Sequence, residues 1–439
     1  MIRMSGPHRS TTGKLVAIVA AGALAMSACS SSKSGSSANT PGVTATSITI
    51  GSHQPLTGPA APSYSEIAPG AKAMFSYIND NGGIYGRKIN YIYKDDGYDP
   101  TKTVTVVKSL VLQDKVFAIF NGLGTPTHSQ VTDYLNSEKV PDLFVASGAQ
   151  LWDQPKKHPY TFGWQTDYII EGKILGQYIK QKYAGKKIGY MLQNDDFGSD
   201  GAKGLDMYIK SSVVDRETYT PGKVDISAQI TNLKAKGAQV VVCFCIPAYT
   251  ALTILTGAKL GFGPQLVVSN VGSDPTTLAG LLEAFAKQGG ATVKGSELIN
   301  GIVTDAYATP VSETSNSWIQ LFKKVHDKYI PKLPLDGNVF YGMAAAYTFA
   351  EALVKAGKNL TRSGIVKAVA GGLPAGPGLV PFRFSADSHA GYSGTQIGTI
   401  HNGGIVVTGT PEVTDDGSGP ITPYTTAQSP APANGIPPQ

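Results

Sequence analysis

Cysteine is scarce in this chain, which has only three among its 439 residues: Cys29, Cys243 and Cys245. The last two lie in the apolar run 240–246, which predicts a buried strand. On an extended strand, residues two apart have Cα atoms roughly 6.5–7 Å apart, beyond the usual span of a disulfide. We therefore expect two buried free thiols, with a strained bridge or a metal site as the alternative. The fold then depends on core packing.

Long apolar runs and runs of basic residues are also missing. The longest apolar stretch, residues 15–25, is too short to span a bilayer. The net charge is +6, and the three cations of residues 1–28, which carry no acid, leave +3 for the remainder. This mild excess of positive charge does not indicate nucleic-acid binding, which depends on neutralising phosphates with clustered basic residues.

Residues 1–28 are typical of an export signal. A basic start is followed by the apolar stretch and then by Met26-Ser27-Ala28-Cys29, which resembles a bacterial lipobox. The thiol of Cys29 would then be lipid-modified and become the mature N-terminus, with the Ser-rich residues 29–45 as a flexible tether. The alternative is an ordinary secretory signal cut nearby. Both predict an extracytoplasmic protein, in the periplasm or on the outer face of the plasma membrane.

Common hydrolase motifs are absent. The sequence contains neither the His-Glu-x-x-His pattern of zinc helices nor the Gly-x-Ser-x-Gly pattern of nucleophile elbows. The one Ser-x-x-Lys pattern considered, at residues 30–33, lies in the tether, which cannot hold catalytic geometry. We therefore predict a non-catalytic protein without a cofactor or a metal site.

Short β-branched runs alternate with amphipathic helical stretches from about residue 46 to residue 409. Residues 48–50, 89–93 and 116–120 predict strands, and apolar residues recur with helical spacing between them. Two series of such β-α units predict an α/β fold of two doubly wound lobes with mostly parallel sheets. Residues 410–439 are rich in Pro, Thr, Gly and Ser, and we expect them to be disordered.

Five segments in chain order carry a further pattern: IGSHQPLTGP (50–59), NDNGGIYGRKI (79–89), DDGYDP (95–100), NDDFG (194–198) and YGMAAAY (341–347). Together they resemble the type I periplasmic-binding family, the leucine-isoleucine-valine-binding-like lipoproteins of ABC transporters. The resemblance implies a Venus-flytrap fold, in which two lobes joined by three crossovers close around a small solute. Closure excludes water from the cleft and strengthens each polar contact.

The resemblance also implies where the chain crosses between lobes, near Thr166, Ala306 and Pro377. Residues 46–166 and 306–377 then form the first lobe. Residues 167–305 and 378–409 form the second. The expected partners are a small solute and the permease and ATPase subunits of an ABC importer. We expect a monomer that touches the membrane only through its lipid.

Two loops of the first lobe are predicted to hold the ligand. In the family, the position of Thr125 binds the solute's carboxylate, and the alternative is that Thr125 only caps a helix. The loop of Ala146, Ser147 and Gly148 matches a family segment that offers backbone amides and a hydroxyl. A plain turn is the alternative there.

Aromatic residues are the next candidates. Tyr64 lies where the family places an aromatic against the ligand, displaced by one position. Phe197 matches a second-lobe aromatic that packs on the ligand, and a core position is the alternative for it. Trp152 and Trp164 could edge the cleft, although large aromatics more often fill cores. His128 lies close to the predicted cleft, with a solvated surface position as the alternative.

One departure from the family bears on the ligand. Amino-acid-binding members carry an acidic residue in the second lobe that pairs with the ammonium group, and Asn270 stands at that position here. A neutral amide cannot neutralise a buried cation. A free amino acid is therefore less favoured, and a neutral amide, a carboxylate or an aromatic acid fits equally well. Asp274 or Asp305 could still supply the charge.

The sequence therefore predicts the solute-binding subunit of an ABC importer, which delivers a small polar solute to a permease. The alternative is a ligand-binding sensor of the same fold without transport, because the fold supports both functions.

Overall fold

The strands of residues 40–439, the part of the chain that the computed structural model describes, form two sheets. They are β1 (Ser47–Gln54), β2 (Lys88–Asp95), β3 (Ile119–Phe120), β4 (Asp142–Val145), β5 (Thr161–Gly163), β6 (Ile188–Gln193), β7 (Val213–Tyr219), β8 (Val240–Phe244), β9 (Gln265–Val268), β10 (Val303–Ala306), β11 (Gly394–His401), β12 (Gly404–Val407), β13 (Glu412–Val413) and β14 (Thr422–Pro423). The predicted signal peptide and lipidation site, Cys29, lie outside the described residues.

Each sheet belongs to one lobe. The first is entirely parallel, in the order β2-β1-β3-β4-β5. The second runs β14-β13-β11-β10-β9-β8-β6-β7, with β12 paired to β11, and its strands β6 to β10 are parallel. The antiparallel pairs involve the late strands β11 to β14. The predicted α/β fold of two doubly wound lobes is confirmed.

Helices connect the strands and cover the sheets. They are α1 (Ala61–Tyr64), α2 (Ile67–Asp80), α3 (Pro100–Leu112), α4 (Thr125–His128), α5 (Thr132–Ser137), α6 (Tyr168–Lys182), α7 (Asp196–Ile209), α8 (Ser227–Ala235), α9 (Pro247–Lys259), α10 (Pro275–Gln288), α11 (Gly295–Leu298), α12 (Ser317–Tyr329), α13 (Gly337–Ala356) and α14 (Arg362–Ala370). Aspartates begin several of them: Asp99, Asp167 and Asp336 each accept two backbone N–H groups of the first turn. Such caps satisfy donors that a helix start leaves free.

Helices α2 and α13 form the centre of the first lobe, and glycines let them approach closely. A Cβ atom on Gly70 would lie 2.5 Å from the carbonyl oxygen of Val339, and one on Gly342 would lie 2.0 Å from that of Ile67. Both distances are well inside contact. The late helix of the YGMAAAY segment is therefore packed into the first lobe, as the resemblance implied.

The crossovers between the lobes are tied to one another. The hydroxyl of Thr166 donates a 2.7 Å hydrogen bond to the carbonyl of Gly394, and the hydroxyl of Thr395 donates a 2.6 Å bond to Asp305 Oδ2. Strands β10 and β11 also pair antiparallel at the crossing, with Ala306 opposite Gln396. The hinge is therefore a bonded unit rather than three separate linkers.

The third crossing lies later than the predicted position near Pro377. Phe384 packs on Phe144 and Phe162, and His389 stacks on Phe162 at 3.7 Å between ring centroids. These are first-lobe contacts, so the first lobe continues past residue 377 to about residue 392. Residues 378–392 hold no regular strand or helix, which is why the β-α pattern did not place them.

The expected disorder of residues 410–439 is wrong. This tail adds β13 and β14 to the second sheet and then crosses to the first lobe, where Gln428 donates to Thr309 and Ser429 accepts from Trp318. Residues 40–45, predicted as part of the tether, also pack on the first lobe, where the Thr40 hydroxyl donates to the Leu360 carbonyl. Long-range hydrogen bonds hold both segments, and local composition does not reveal such bonds.

The expectation of free thiols is also wrong. Cys243 and Cys245 form a disulfide, with their Cα atoms 5.3 Å apart. The strand β8 ends at Phe244, so Cys245 lies beyond the extended geometry on which the longer distance was based. Both residues are fully buried.

Candidate functional site

A cavity of about 340 Å³ lies between the lobes and is lined by residues of both. Its inner walls come from the segments that follow β3, β4, β6 and β9, together with the end of β10. The carboxyl ends of parallel strands share one edge of a sheet, and ligands bind beyond that edge in open α/β folds. The cavity therefore occupies the place where this fold positions ligands.

Five of the seven predicted ligand contacts line the cavity, namely Tyr64, Thr125, Ala146, Phe197 and Asn270. Ser147 and Gly148 are not part of the lining. The hydroxyl of Ser147 lies 2.7 Å from that of Thr125, so it supports the lining residue from behind. A Cβ on Gly148 would lie 2.3 Å from the Thr166 carbonyl oxygen. The absence of a side chain at Gly148 therefore lets this loop pack against the first crossover. Their roles toward a ligand remain predictions.

Thr125 begins α4 directly after Gly124, whose φ is 104°. This conformation is open to glycine and strained for other residues, and it turns the chain so that Thr125 faces the cleft. The Thr125 side chain is buried, and its hydroxyl is paired with Ser147. A ligand oxygen here would meet the Thr125 hydroxyl, which the Ser147 hydroxyl holds in place from behind.

Tyr98 is a lining residue that the sequence analysis missed as a ligand contact. Its φ is 58°, an uncommon value for a bulky residue, and its amide donates to Asp96 Oδ1 at 2.9 Å. The strained turn directs the ring toward the cavity. The segment DDGYDP could have indicated this turn, because Gly97 and Tyr98 follow two aspartates at the end of a predicted strand.

Asn270 stands beside two buried carboxyl groups rather than alone. Its backbone N–H donates to Glu171 Oε1 at 2.8 Å and to Asp305 Oδ1 at 3.2 Å, and its side-chain Nδ2 donates to Asp305 Oδ2 at 3.4 Å. Asp305 lines the cavity, as does Asp274. The carboxyl group missing at position 270 is therefore present nearby, contributed by the hinge strand β10.

Burial governs the ionisation of these two carboxyl groups. Burial, followed by the charge of Asp305, raises the pKa of Glu171 well above its usual range, and burial raises the pKa of Asp305 as well. Among the described residues, Glu171 Oε2 has no hydrogen-bond partner. Asp305, which lines the cavity, places a buried carboxyl group at its wall.

Aromatic rings dominate the remaining wall. The lining includes Tyr64, Tyr98, Trp164, Tyr168, Phe197, Tyr307, Phe340 and Tyr341. Within the described part of the chain, no Lys, Arg or His lines the cavity. Trp164 is thus at the site, whereas Trp152 is buried against the His128 ring. The cavity suits apolar groups with few polar ones, and it offers no cationic side chain to an anion.

A second acidic group joins the lobes at the rim. The backbone N–H of Gly337 donates to Asp274 Oδ2 at 2.9 Å across the cleft. Burial, followed by the charge of Asp274, raises the pKa of Asp336 to about 8, and burial also raises the pKa of Glu66. Three carboxyl groups thus meet where the lobes touch.

A buried chain of four side chains lies behind the ligand loop. His53 Nδ1 lies 2.7 Å from Asp96 Oδ2, His53 Nε2 lies 2.8 Å from His128 Nδ1, and His128 Nε2 lies 2.8 Å from Asp142 Oδ2. The surface position considered for His128 is therefore wrong. A Cβ on Gly122 would lie 2.5 Å from His128 Nδ1, so the chain supports the backbone of the loop that carries Thr125.

In residues 40–439, no group of three or more His, Cys, Asp or Glu residues is arranged to hold a metal ion. None of the helices in the same range combines the length and the apolar character needed to cross a bilayer.

Comparisons of this chain with family models and with curated proteins agree on one family. A family model described as "Periplasmic binding protein" matches residues 47–404. The chain is 24% identical over 368 residues to the Leu/Ile/Val-binding protein homolog 1 of Brucella abortus (strain 2308), covering 79% of this chain and 92% of that protein. It is 29% identical over 208 residues to homolog 3 of Brucella melitensis, covering 44% of this chain and 53% of that relative.

Solved structures show the same fold. A fatty acid ABC transporter substrate-binding protein from Thermomonospora curvata matches with a TM-score of 0.73 and 23% identity, covering 86% of this chain and 95% of that one. A branched-chain amino acid ABC transporter protein from Thermus thermophilus with bound valine matches with a TM-score of 0.73 and 19% identity, covering 84% and 97%. At these identities the likeness concerns the fold alone.

Proposed function

This chain belongs to the family of periplasmic binding proteins, and on that premise we propose that it is the extracytoplasmic solute-binding subunit of an ABC importer. The observation that carries the proposal is the cavity of about 340 Å³ enclosed between two lobes. A cavity built by both lobes changes shape when they separate. Ligand binding therefore shifts the population of open and closed forms.

Closure is supported by contacts that exist only while the lobes meet. The Tyr64 hydroxyl of the first lobe donates to the Val271 carbonyl of the second at 2.9 Å, and Asn338 Nδ2 donates to Thr277 Oγ1 at 3.0 Å. Individual bonds of this kind contribute only about 1 kcal/mol. The open form therefore stays accessible, and a ligand in the cavity can decide between the two.

The ligand that fits the inner cavity is a small polar solute with an apolar part, and an amino acid, an amide or a carboxylate are the classes to compare. The Thr125 hydroxyl, paired with that of Ser147 behind it, suits a ligand oxygen that accepts or donates a hydrogen bond. Asp305 and Glu171 suit an ammonium or an amide N–H. These two features restore the amino acid as a candidate. The relatives' names, which refer to leucine, isoleucine and valine, agree with it.

Transport and anchoring complete the proposal. A closed protein would dock on permease and ATPase subunits, held near them by the lipid on Cys29, and it would act as a monomer without catalysis. The structural role of the deepest carboxyl groups supports this part of the proposal, since Glu171 accepts the Asn270 amide and Asp305 accepts the Thr395 hydroxyl.

The test is a binding titration of the full-length chain in mild detergent. Trp164 lines the cavity, so intrinsic tryptophan fluorescence is a direct readout. The panel contains leucine, isoleucine, valine, the corresponding primary amides and the corresponding carboxylic acids. Saturable binding with a Kd at or below the micromolar range supports the proposal. Absence of binding across all three classes would contradict it.

Importer and sensor functions are separated in cells. Uptake of the radiolabelled ligand is measured in a strain lacking this gene and in the same strain with the gene restored. Restored uptake supports import. Unchanged uptake, from a protein that binds the ligand in vitro, would favour the sensor.

A further inference from the structure

Two adjacent residues of the C-terminal tail bond to opposite lobes. Asp415 accepts a hydrogen bond from Lys173 Nζ of α6, in the second lobe, at 3.0 Å. Asp416 accepts hydrogen bonds from Gln150 Nε2 at 2.7 Å and from Arg383 Nη1 at 3.1 Å, both in the first lobe. The tail therefore connects the lobes in addition to the three crossovers.

The contact with the second lobe is the stronger one. The tail loop, which we define as residues 414–419, supplies five oxygen atoms that accept from the ammonium group of Lys173. The Lys173 side chain is only 1% exposed. Hydrogen bonds to a charged donor are stronger than neutral ones, and a buried ammonium that lost its acceptors would be left unpaired, which is costly. The tail loop should therefore move with the second lobe.

The tail loop is also braced internally. The amides of Gly417 and Gly419 both donate to Asp415 Oδ1, each at 3.0 Å. A Cβ on Gly419 would lie 2.2 Å from Asp415 Oδ2, so a side chain would not fit there. These bonds fold the loop around its own carboxylate. The loop cannot stretch after a departing lobe without breaking them.

The contact with the first lobe is the weaker one. The side chains of Arg383 and Asp416 are 22% and 26% exposed, and an ion pair that water reaches contributes little. Gln150 adds one further hydrogen bond to the same carboxylate. When the lobes separate, the bonds of Asp416 should therefore break before those of Lys173.

Gln150 lies where the two lobes meet. Its backbone N–H donates to Asp200 Oδ2 at 2.9 Å, and its Oε1 accepts from Lys203 Nζ at 3.1 Å. Both partners belong to α7 of the second lobe. Neither Gln150 nor Asp416 lines the cavity. The tail loop thus joins the lobes beside the cleft, without touching the space for a ligand.

We propose that the tail loop is a latch between the lobes. It is anchored on the second lobe by Lys173, fastens the first lobe through Asp416, and sets how easily the cleft opens. Asp416 is then a positioning residue, which changes ligand affinity only through the equilibrium between open and closed forms. This inference rests on the proposed solute-binding function and names a regulation of the same cleft.

The experiment measures lobe opening without a ligand, by hydrogen exchange of the full-length protein at single-amide resolution. The Gly337 amide donates to Asp274 of the opposite lobe at 2.9 Å, so it exchanges when the lobes separate. Asp416→Ala removes both bonds of the latch to the first lobe. We expect exchange at Gly337 to become roughly fivefold faster, the effect of about one net hydrogen bond.

The amides of Gly417 and Gly419 report on the loop itself. In Asp416→Ala we expect them to keep their wild-type exchange rates, because Asp415 and Lys173 still hold the loop. This result would separate an opened latch from a loop that has unfolded.

Asp206→Ala is the matched control. Asp206 accepts from Arg216 Nη2 at 2.7 Å and from the Tyr190 hydroxyl at 3.1 Å, and all three residues belong to the second lobe. Its side chain is 23% exposed, against 26% for Asp416. The variant loses similar bonds without affecting a contact between lobes. Exchange at Gly337 should therefore stay within about twofold of the wild-type rate.

Releasing the other end of the latch gives a second test. Lys173→Met frees the tail loop from the second lobe, and we expect it to speed exchange at Gly337 as well. A latch fails when either end is released. The double variant with Asp416→Ala should therefore exchange no faster at Gly337 than Lys173→Met alone.

Three results would overturn the latch. They are unchanged exchange at Gly337 in Asp416→Ala, equal acceleration in Asp206→Ala, and additive effects of Asp416→Ala and Lys173→Met, which would indicate two independent contacts. None of these results depends on ligand binding. A failure of the latch is therefore distinguishable from a failure of the solute-binding function, which the ligand titration decides.

Discussion

The hydroxyl of Tyr64, in the first lobe, donates a 2.9 Å hydrogen bond to the carbonyl of Val271, in the second. Tyr64 also lines the cavity, so one side chain contacts both the space for the ligand and the opposite lobe. Burial raises the pKa of this phenol well above its usual range, so it remains a hydrogen-bond donor. Ligand occupancy and lobe closure are thereby coupled through a single residue.

Removing that hydroxyl should weaken ligand binding. In Tyr64→Phe the closed form loses one interlobe bond, about 1 kcal/mol, and we expect Kd to rise roughly fivefold in a fluorescence titration. Tyr77→Phe is the control, because it removes a bond of the same length, to the Asn434 carbonyl, that does not cross the cleft. Equal effects of the two variants on Kd would contradict the coupling.

Thr125→Ala should weaken binding through the inner end of the cavity. The variant removes one of the two paired hydroxyls and leaves that of Ser147 buried without this partner, so we expect a loss of roughly 1 kcal/mol or more in binding free energy. Calorimetric titration measures it. Thr132→Ala, which deletes a buried hydroxyl bonded to the His128 carbonyl away from the lining, should leave Kd unchanged. An unaltered Kd in Thr125→Ala removes this residue from the site.

Closure should depend on pH through Asp336. Its pKa is about 8 where the lobes meet, raised by burial and then by Asp274, whereas a solvated aspartate has a pKa near 3.9. If opening of the lobes solvates Asp336, then at any pH between these two pKa values closing is accompanied by the uptake of a proton. The closed form is then fully favoured below about pH 4 and loses this advantage as the pH rises through about 8. We expect Kd to increase from pH 6 to pH 8.5, by at most about tenfold per unit.

Asp336→Asn should flatten this dependence, because asparagine caps a helix about as well as aspartate but does not titrate. Asp99→Asn is the matched control, since Asp99 caps α3 away from the cleft. A pH profile that stays steep in Asp336→Asn would show that other groups control closure.

The C-terminal tail should depend on Lys173. The Nζ atom of this fully buried lysine donates to Thr414 and to Asp415, Gly417 and Gly419, five acceptor atoms in all. In Lys173→Met these bonds are lost, and we expect a loss of about 3 kcal/mol in unfolding free energy, since bonds to a charged donor contribute roughly 1.5–3 kcal/mol each and part of the set is solvated after the change.

Urea unfolding measures that loss, and hydrogen exchange should show faster exchange in residues 414–419. Lys203→Met is the comparison, because Lys203 makes one exposed bond to Gln150, and we expect less than about 0.5 kcal/mol. Unchanged exchange in the tail of Lys173→Met would mean that β13 and β14 hold it without the lysine.

Local pattern determined the architecture of this protein. The alternation of β-branched runs and amphipathic stretches predicted two parallel α/β lobes because side-chain periodicity depends only on neighbours along the chain. Loops after parallel strands meet at one edge of a sheet, which located the cleft. The family resemblance then selected Tyr64, Thr125 and Ala146 within those loops, and all three line the cavity.

Only the tertiary structure decided the remaining features of the site and of the C-terminal tail, because local sequence pattern does not specify contacts between distant residues. Asp305 became the carboxyl group beside Asn270 when β10 entered the second sheet next to β9. The tail became ordered when Lys173, more than two hundred residues earlier, met Asp415. The cavity lining gained Leu335, Phe340 and Ile405 from three segments that are distant in the chain. Periodicity selects helices and strands, whereas the chemistry of a site depends on which distant residues the packed fold brings together.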